Sequence, residues 1–418
     1  MSQKQRRDSE DRARMKGRTL DGTATELGIE SLAIQRIETV PLRVKLGRTY
    51  RGSQYRMTHR SSIVTRIHAA NGLMGEAYAG DEDASLEEID RIINLEIAPK
   101  IVGVDAFAVE RLWELARPAT MDILRDRRVG LVACACIDAA VWDLIGKSLQ
   151  QPLWRLWGGY RERVPVISIG GYYGQDTSIS SEVLELRERG LAGMKVKVGG
   201  MTPEEDAERF LEARSAAGPD FVLMADANQA WTVEEAVRFA RLVEEADLYW
   251  FEEPCRWHND RQAMRDVRLM SGVRVCAGQS ELSAAGCREL MAQGSIDFCN
   301  FDASWSGGPT EWRRVAAISQ TFDVGMAHHE EAQLASHLLA SVPNGTFVEW
   351  FHPDRDPIWH HLVANAAPLV EGHLRLPTAP GLGWELDEEF LRAHMVKFAH
   401  DVAGGRKPAS SESPTGDA

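Results

Sequence analysis

The chain reads as an α/β protein: a parallel β/α barrel preceded by a small α+β domain. Three observations carry that reading. Between Val164 and Glu349, eight short apolar runs alternate with helical patterns. Seven of them lead into a polar residue, Lys197, Asp226, Glu252, Gln279, Asp302, His329 and Glu349, at steps of 29, 26, 27, 23, 27 and 20 residues. Each step is the length of one strand-plus-helix unit, and barrels of this kind carry their chemistry where strands end. Ahead of these runs, three strand patterns are followed by three helical ones, the order of a small α+β domain.

Taken in order, residues 1–30 are charged and small without apolar periodicity, and read as a disordered tail. Strand patterns follow at Ala33–Val40, Ser62–His68 and Gly72–Tyr78, the last after an Asn71-Gly72 turn. The stretch between the first two, Leu46–Arg60, reads as a loop rich in Arg, Tyr, Thr and His. Helical patterns occupy Ser85–Ile101, Ala106–Ala116 and Val129–Leu149. The eight barrel runs are Val164–Ile169, Met194–Val198, Phe221–Ala225, Leu248–Phe251, Val273–Ala277, Ile296–Phe301, Asp323–Ala327 and Thr346–Val348. Capping boxes, Thr202-x-x-Glu205 and Thr232-x-x-Glu235, open two of the helices between them. No G-x-G-x-x-G follows the first run, which argues against a doubly wound sheet. The expected division is a capping domain over 31–160, completed by about 366–400, a barrel over 161–365, and a disordered tail over 404–418.

Composition narrows the function. The 418 residues are 44% hydrophobic with a net charge of −14, which speaks against nucleic acid and anionic membrane surfaces as partners. No apolar run reads as a membrane span, and the basic N-terminus has no apolar core of a signal peptide. The six cysteines form no C-x-x-C pair, so neither zinc nor a disulfide framework is indicated and a reducing cytoplasm is expected.

The residue types at the run ends fit one task. Lys195 and Lys197 share a strand face about 6.6 Å apart at the backbone. At an effective dielectric of ~20 they repel by ~2.5 kcal/mol, so one is easier to deprotonate and becomes a strong base. Proton removal next to a carboxylate makes an enolate with two negative charges on one carboxyl group, which calls for a divalent cation. Asp226 and Glu252 on adjacent strands offer hard oxygen ligands suited to Mg²⁺. Asp302 and His329 form a dyad in which the carboxylate orients the imidazole and favours its charged form. Glu349, when protonated, would donate a hydrogen bond to the enolate.

These motifs, Lys195-x-Lys197, Asp226-Ala-Asn228-Gln229, Glu252-Glu253-Pro254, Asp302, His329 and Glu349, resemble the mandelate racemase and muconate lactonising enzyme family of the enolase superfamily. The likeness covers about residues 32–400, and helix Ile137–Lys147 resembles the family's junction between cap and barrel. It implies a TIM-type (β/α)7β barrel under an N-terminal α+β capping domain. It implies Lys197 and His329 as bases on opposite faces of the substrate, with Lys195 lowering the Lys197 pKa and contacting the substrate carboxylate. Asn228 supports the metal site and counts among the substrate-binding residues. The family's third metal ligand is a glutamate; here that position is Gln279, so weaker Mg²⁺ binding or recruitment of Glu281 is expected, or an engineered or inactive variant.

Two bases around one enolate allow racemisation, dehydration or cycloisomerisation. The donors of the Leu46–Arg60 stretch, with Arg51, Tyr55 and His59 as substrate-binding residues, suit a polyhydroxy acid. A sugar-acid dehydratase acting on an aldonate or aldarate is therefore expected. The alternatives are a racemase, epimerase or cycloisomerase of a related hydroxy acid or lactone, and a catalytically impaired binding protein. His328 reads as structural; Trp305 and Tyr172 could line the pocket, but aromatics at strand ends are more often packing. The resemblance also implies a homo-oligomer.

Overall fold

The structure, a computed structural model, describes residues 31–79, 84–366 and 368–398. The tails expected at 1–30 and 404–418 lie outside the described residues. β-branched alternation at the start produces an antiparallel meander of β1 (Ile34–Arg51), β2 (Arg56–Ala69) and β3 (Met74–Ala79). The strands run further than expected. Leu46–Arg60 is mostly not a loop: pairing continues past an irregularity after Lys45 to Tyr50↔Met57 and Arg51↔Arg56. Only residues 52–55 turn, where the Gly52 N–H donates to the Tyr55 carbonyl at 3.1 Å. The hairpin tip leaves the core of its own sheet, so its pairing rests on backbone bonds, and no apolar alternation marks it in the sequence.

Helix Arg127–Ser148 packs on this meander. At Gly75 on β3 an added Cβ would lie 2.3 Å from the Ala140 carbonyl oxygen, so the strand approaches the helix backbone closely. By length and composition this helix would pass as a membrane span, contrary to the reading of the sequence, but 89% of its apolar window is buried inside the fold. It also holds a second layer. Asp138 accepts from the Thr310 N–H and hydroxyl, both at 2.8 Å, at the start of helix Pro309–Gln320. Gly308, with φ of 91°, leads into that helix, and a Cβ there would lie 2.6 Å from the Asp138 Cβ.

Burial pushes the Asp138 carboxyl up to about 7, against the lowering effect of the Thr310 bonds. A folded-state value above the unfolded one means the folded chain holds this proton more tightly. The associated stability is full below the unfolded value near 3.8 and is lost as pH rises through about 7. Thermal melts between pH 4 and 8 should show the wild type losing stability relative to Asp138→Asn as pH rises.

The second sheet is built from β4 (Arg163–Gly170), β5 (Gly193–Lys197), β6 (Val222–Asp226), β7 (Leu248–Glu252), β8 (Val275–Ala277), β9 (Phe298–Cys299), β10 (Gly325–Met326) and β11 (Val348–Trp350). They pair in parallel from β4 through β10, and β11 joins the free side of β4. A helix follows each of β4 to β10. The sheet curls, and backbone bonds of 2.8 Å from Met326 N–H to Asn344 and from Thr346 N–H to Met326 tie β10 to the segment entering β11. Both capping boxes form.

One strand was not anticipated: β12 (His373–Arg375) adds antiparallel to β4. Three residues are too few for a visible period. Beyond it the chain returns to the meander, where the Val396 N–H donates to the Pro41 carbonyl at 2.8 Å.

Strand alternation sorts the inside of the curled sheet into layers. Ile167, Met224, Trp250, Cys276 and Ala327 form an apolar cluster, with Phe347 packed against it. Met224, Trp250, Ala327 and Phe347 each lie two residues before Asp226, Glu252, His329 and Glu349. The polar ends therefore stand on an apolar floor. All six cysteines are free and buried.

Candidate active site

Register brings the run-end residues together. Lys197 pairs with Asp226 and Asp226 with Glu252 across β5, β6 and β7. Lys197 Nζ donates to Asp226 Oδ2 at 2.6 Å and to Asn228 Oδ1 at 3.1 Å, and lies 5.4 Å from the centre of the Tyr55 ring. Lys195 Nζ donates to Glu252 Oε1 and Glu349 Oε1 and lies 4.0 Å from Asp226 Oδ2. From the apolar floor, Trp250 Nε1 donates to Glu252 Oε2 at 3.1 Å. Asn228 takes a left-handed backbone, φ 45°, which lets its N–H reach Asp226 Oδ1 at 2.9 Å.

The lysine electrostatics differ from the expectation. Lys195 does not leave Lys197 with a lowered pKa. Burial alone would lower both, but Glu252, Glu349 and Asp226 around Lys195, and Asp226 beside Lys197, outweigh it and both stand raised. The repulsion between the two ammonium groups is the weaker effect, since Lys195 is hydrogen-bonded to Glu252 and Glu349 and Lys197 to Asp226. Glu252 carries the complementary strain. Burial pushes Glu252 up to about 8 against the pull of Lys195, and Asp226 and Glu349 add repulsion.

Across the cavity, Asp302 Oδ2 lies 2.9 Å from His329 Nδ1, and Asp302 Oδ1 accepts from the Ser304 N–H and hydroxyl. Burial opposes the imidazolium, but the Asp302 bond and the Glu330 charge hold the His329 pKa above its ordinary value. Trp305, read as packing, lines the cavity, its ring 4.7 Å from the imidazole. His328 is structural, accepting from the Ala303 N–H at 3.1 Å. Glu349 is placed differently from expectation: both its oxygens accept, one from Lys195 and one from the Glu330 N–H at 2.9 Å. A donor role would require it to leave one of these partners.

Gln279 and Glu281 part company. The Gln279 N–H donates to Asn300 Oδ1 at 3.1 Å, and its side-chain carbonyl accepts from Asn300 Nδ2 at 3.0 Å. Glu281 does not turn to the site: its Oε1 pairs with Arg261 Nη2 at 2.5 Å. That ion pair and the turn after Gly278 keep it from the recruitment expected from the sequence. Among the described residues no cluster of three or more His, Cys, Asp or Glu side chains has the spacing of a metal site.

A cavity of about 510 Å³ opens over these groups, with Lys197, Asn228, Gln279 and His329 in its wall. Tyr55 and His59 reach it from the meander, whereas Arg51 lines a separate cavity beside it. Ser53 hydroxyl donates to the Ala227 carbonyl at 2.8 Å, fixing the turn over β6. Sequence reasoning missed Arg128, stacked 4.9 Å over Trp305, and Glu330 in the same wall. Glu330 directly follows His329, and that adjacency was the available signal. Burial opposes its charge, but Arg60 and Arg355 hold its carboxyl down to about 2.

Two family models match the chain. The N-terminal domain of the mandelate racemase/muconate lactonizing enzyme family matches residues 38–158, and the enolase C-terminal domain-like family matches residues 178–390. The chain belongs to the mandelate racemase/muconate lactonizing enzyme family of the enolase superfamily. It is 30% identical to a 3,6-anhydro-alpha-L-galactonate cycloisomerase of Streptomyces coelicolor, over 86% of this chain and 98% of that one. It is 26% identical to an arabinonate dehydratase of Saccharolobus solfataricus, over 80% and 91%. A solved mandelate racemase/muconate lactonizing enzyme from a marine actinobacterium, in complex with magnesium, superposes with a TM-score of 0.84 at 52% identity, over 88% of this chain and all of that one.

Proposed function

We propose that the protein removes the proton α to a substrate carboxylate and dehydrates a sugar acid, an aldonate or aldarate, to a 2-keto-3-deoxy acid. The observation that carries this reading is one cavity with Lys197 in its wall from β5 and His329 from beyond β10. Lys197 accepts the C2 proton as a free amine, once the ammonium proton that Asp226 and Asn228 hold on it has left to solvent. His329, charged and oriented by Asp302, delivers a proton to the departing β-hydroxyl. Lys195 faces the carboxylate end, and Trp305 backs the imidazole and limits water there. The sheet is taken to close as a (β/α)7β barrel under a cap spanning 31–160, with the chain from about 366 completing the cap. Dehydratases among the relatives support the reaction class.

Mg²⁺ fits the donor set in part. Asp226 and Glu252 are wholly buried carboxylates that share Lys195 as a cationic neighbour, and Mg²⁺ is commonly held by one or two carboxylates with waters. Gln279 offers only the second lone pair of a carbonyl already bonded to Asn300. When bound, the ion neutralises charge on the enolate oxygens. Titration calorimetry with Mg²⁺ should show Gln279→Glu binding at least about tenfold more tightly than wild type, because the ligand charge rises by one. Equal affinities would remove Gln279 from the site.

Incubation with a panel of sugar acids tests the reaction. A 2-keto-3-deoxy product is expected. The 30%-identical cycloisomerase favours a second reading, ring opening or closure of an acid sugar. Deuterium exchange at C2 without keto product would point to that reading or to racemisation.

A further inference from the structure

Behind the cavity wall lies a second set of polar groups that the reaction above does not use. Arg355 is 1% exposed and Tyr172 6% exposed. Arg355 Nη2 donates to Glu330 Oε1 at 3.3 Å, and its guanidinium lies 4.3 Å from the Phe351 ring centre. Its Nε and Nη1, and the Tyr172 hydroxyl, are buried without a hydrogen-bond partner. Leaving such groups unmatched costs about 1–3 kcal/mol each, so three of them in one place point to a ligand that completes them.

They share one environment. Arg355, Tyr55, Lys197 and Glu330 are the charged and titratable groups that act on Tyr172, and Tyr172, Glu330 and Tyr55 act on Arg355. Tyr50, Ile169, Tyr172 and Phe351 form a small apolar cluster there, with Tyr55 and Met57 packed against it. Two members of the set, Tyr55 and Glu330, also line the main cavity. The orphaned donors are thus one side chain away from Lys197.

We propose that Arg355 and Tyr172 form a distal substrate subsite, in which Nε, Nη1 and the phenol donate to hydroxyl oxygens on the chain beyond C3 of a polyhydroxy acid. Hydroxyls suit it better than a second carboxylate. Glu330 and Asp356 already face Arg355, so its positive charge is met and only its donors are vacant. The inference rests on the acid-sugar reading and narrows it to aldonates.

The test compares wild type, Tyr172→Phe and Arg355→Met in Mg²⁺ buffer. Equilibrium dialysis measures binding of a six-carbon aldonate, a six-carbon aldarate and glycerate, which lacks the distal hydroxyls. Each variant should weaken aldonate binding about tenfold and leave glycerate unchanged. Tyr172→Phe removes only a hydroxyl that has no hydrogen-bond partner in the protein, so its fold is preserved even where Arg355→Met proves unstable. Weakening of both acids alike, or of neither, overturns the subsite. So does a wild-type preference for the aldarate. C2 deuterium exchange is followed on the same samples. Exchange with undiminished aldonate binding in the variants sinks the subsite alone. Selective loss of aldonate binding without exchange in wild type sinks the reaction alone.

Discussion

Replacing His329 with asparagine should lower product formation by roughly 10²–10⁴-fold, the range supplied by a positioned acid or base, while C2 proton exchange through Lys197 persists. The imidazole is held at 2.9 Å by Asp302, which is itself fixed by Ser304, and the Trp305 ring packs 4.7 Å away. An amide fills part of that space but carries no exchangeable charge. The raised His329 pKa sets a pH signature as well. The protonated acid is present below that value and is lost as pH rises through it. The proposed dehydration should therefore decline on the alkaline side in wild type, and His329→Asn should lack that limb. Stability follows the same sign: the contribution of the Asp302 pair is full below the ordinary histidine value of 6.5 and fades above the raised one. A pH–rate profile unchanged by the substitution would remove His329 from the chemistry.

Arg60→Met should destabilise the fold by roughly 3–5 kcal/mol, measured as a shift of the urea midpoint. Arg60 is 1% exposed and comes from β2 of the meander, yet it pairs with residues of the segments that follow β10 and β11 of the second sheet. It lies 2.8 Å from Glu330, 3.3 Å from Glu331 and 3.4 Å from Asp356. Methionine matches much of its volume but leaves buried carboxylates without their cation. Burial already pushes Glu331 up to about 8 despite Arg60, so this cluster has little charge compensation in reserve. A shift under about 1 kcal/mol would mean that Arg355 alone suffices.

The strand-end residues were legible because a βα unit has a nearly constant length. Polar residues recurring at that interval, Lys197 through Glu349, cannot be solvated charges scattered by chance. The apolar layer beneath them was not read from the sequence, although Trp250 and Glu252 are two apart. What escaped was decided by partners remote in sequence. Arg261 withdraws Glu281, Asn300 occupies the carbonyl of Gln279, and Asp226 reverses the sign of the Lys197 shift. The hairpin at 46–60 escaped because its tip is stabilised by backbone pairing over another sheet. Arg355 escaped, and Tyr172 was weighed as packing, because an unmatched donor is a property of three-dimensional surroundings.

The turn at 52–55 is four residues long and reaches β6 through the hydroxyl of Ser53. The groups that would handle protons stand instead on rigid strand ends of a different sheet. Doubling the length of such a turn costs only about 0.6 kcal/mol of chain entropy. Insertions there would redraw what the enzyme admits while the machinery beneath stays as it is. A lineage of such chains would change its substrates at that turn without any change of reaction.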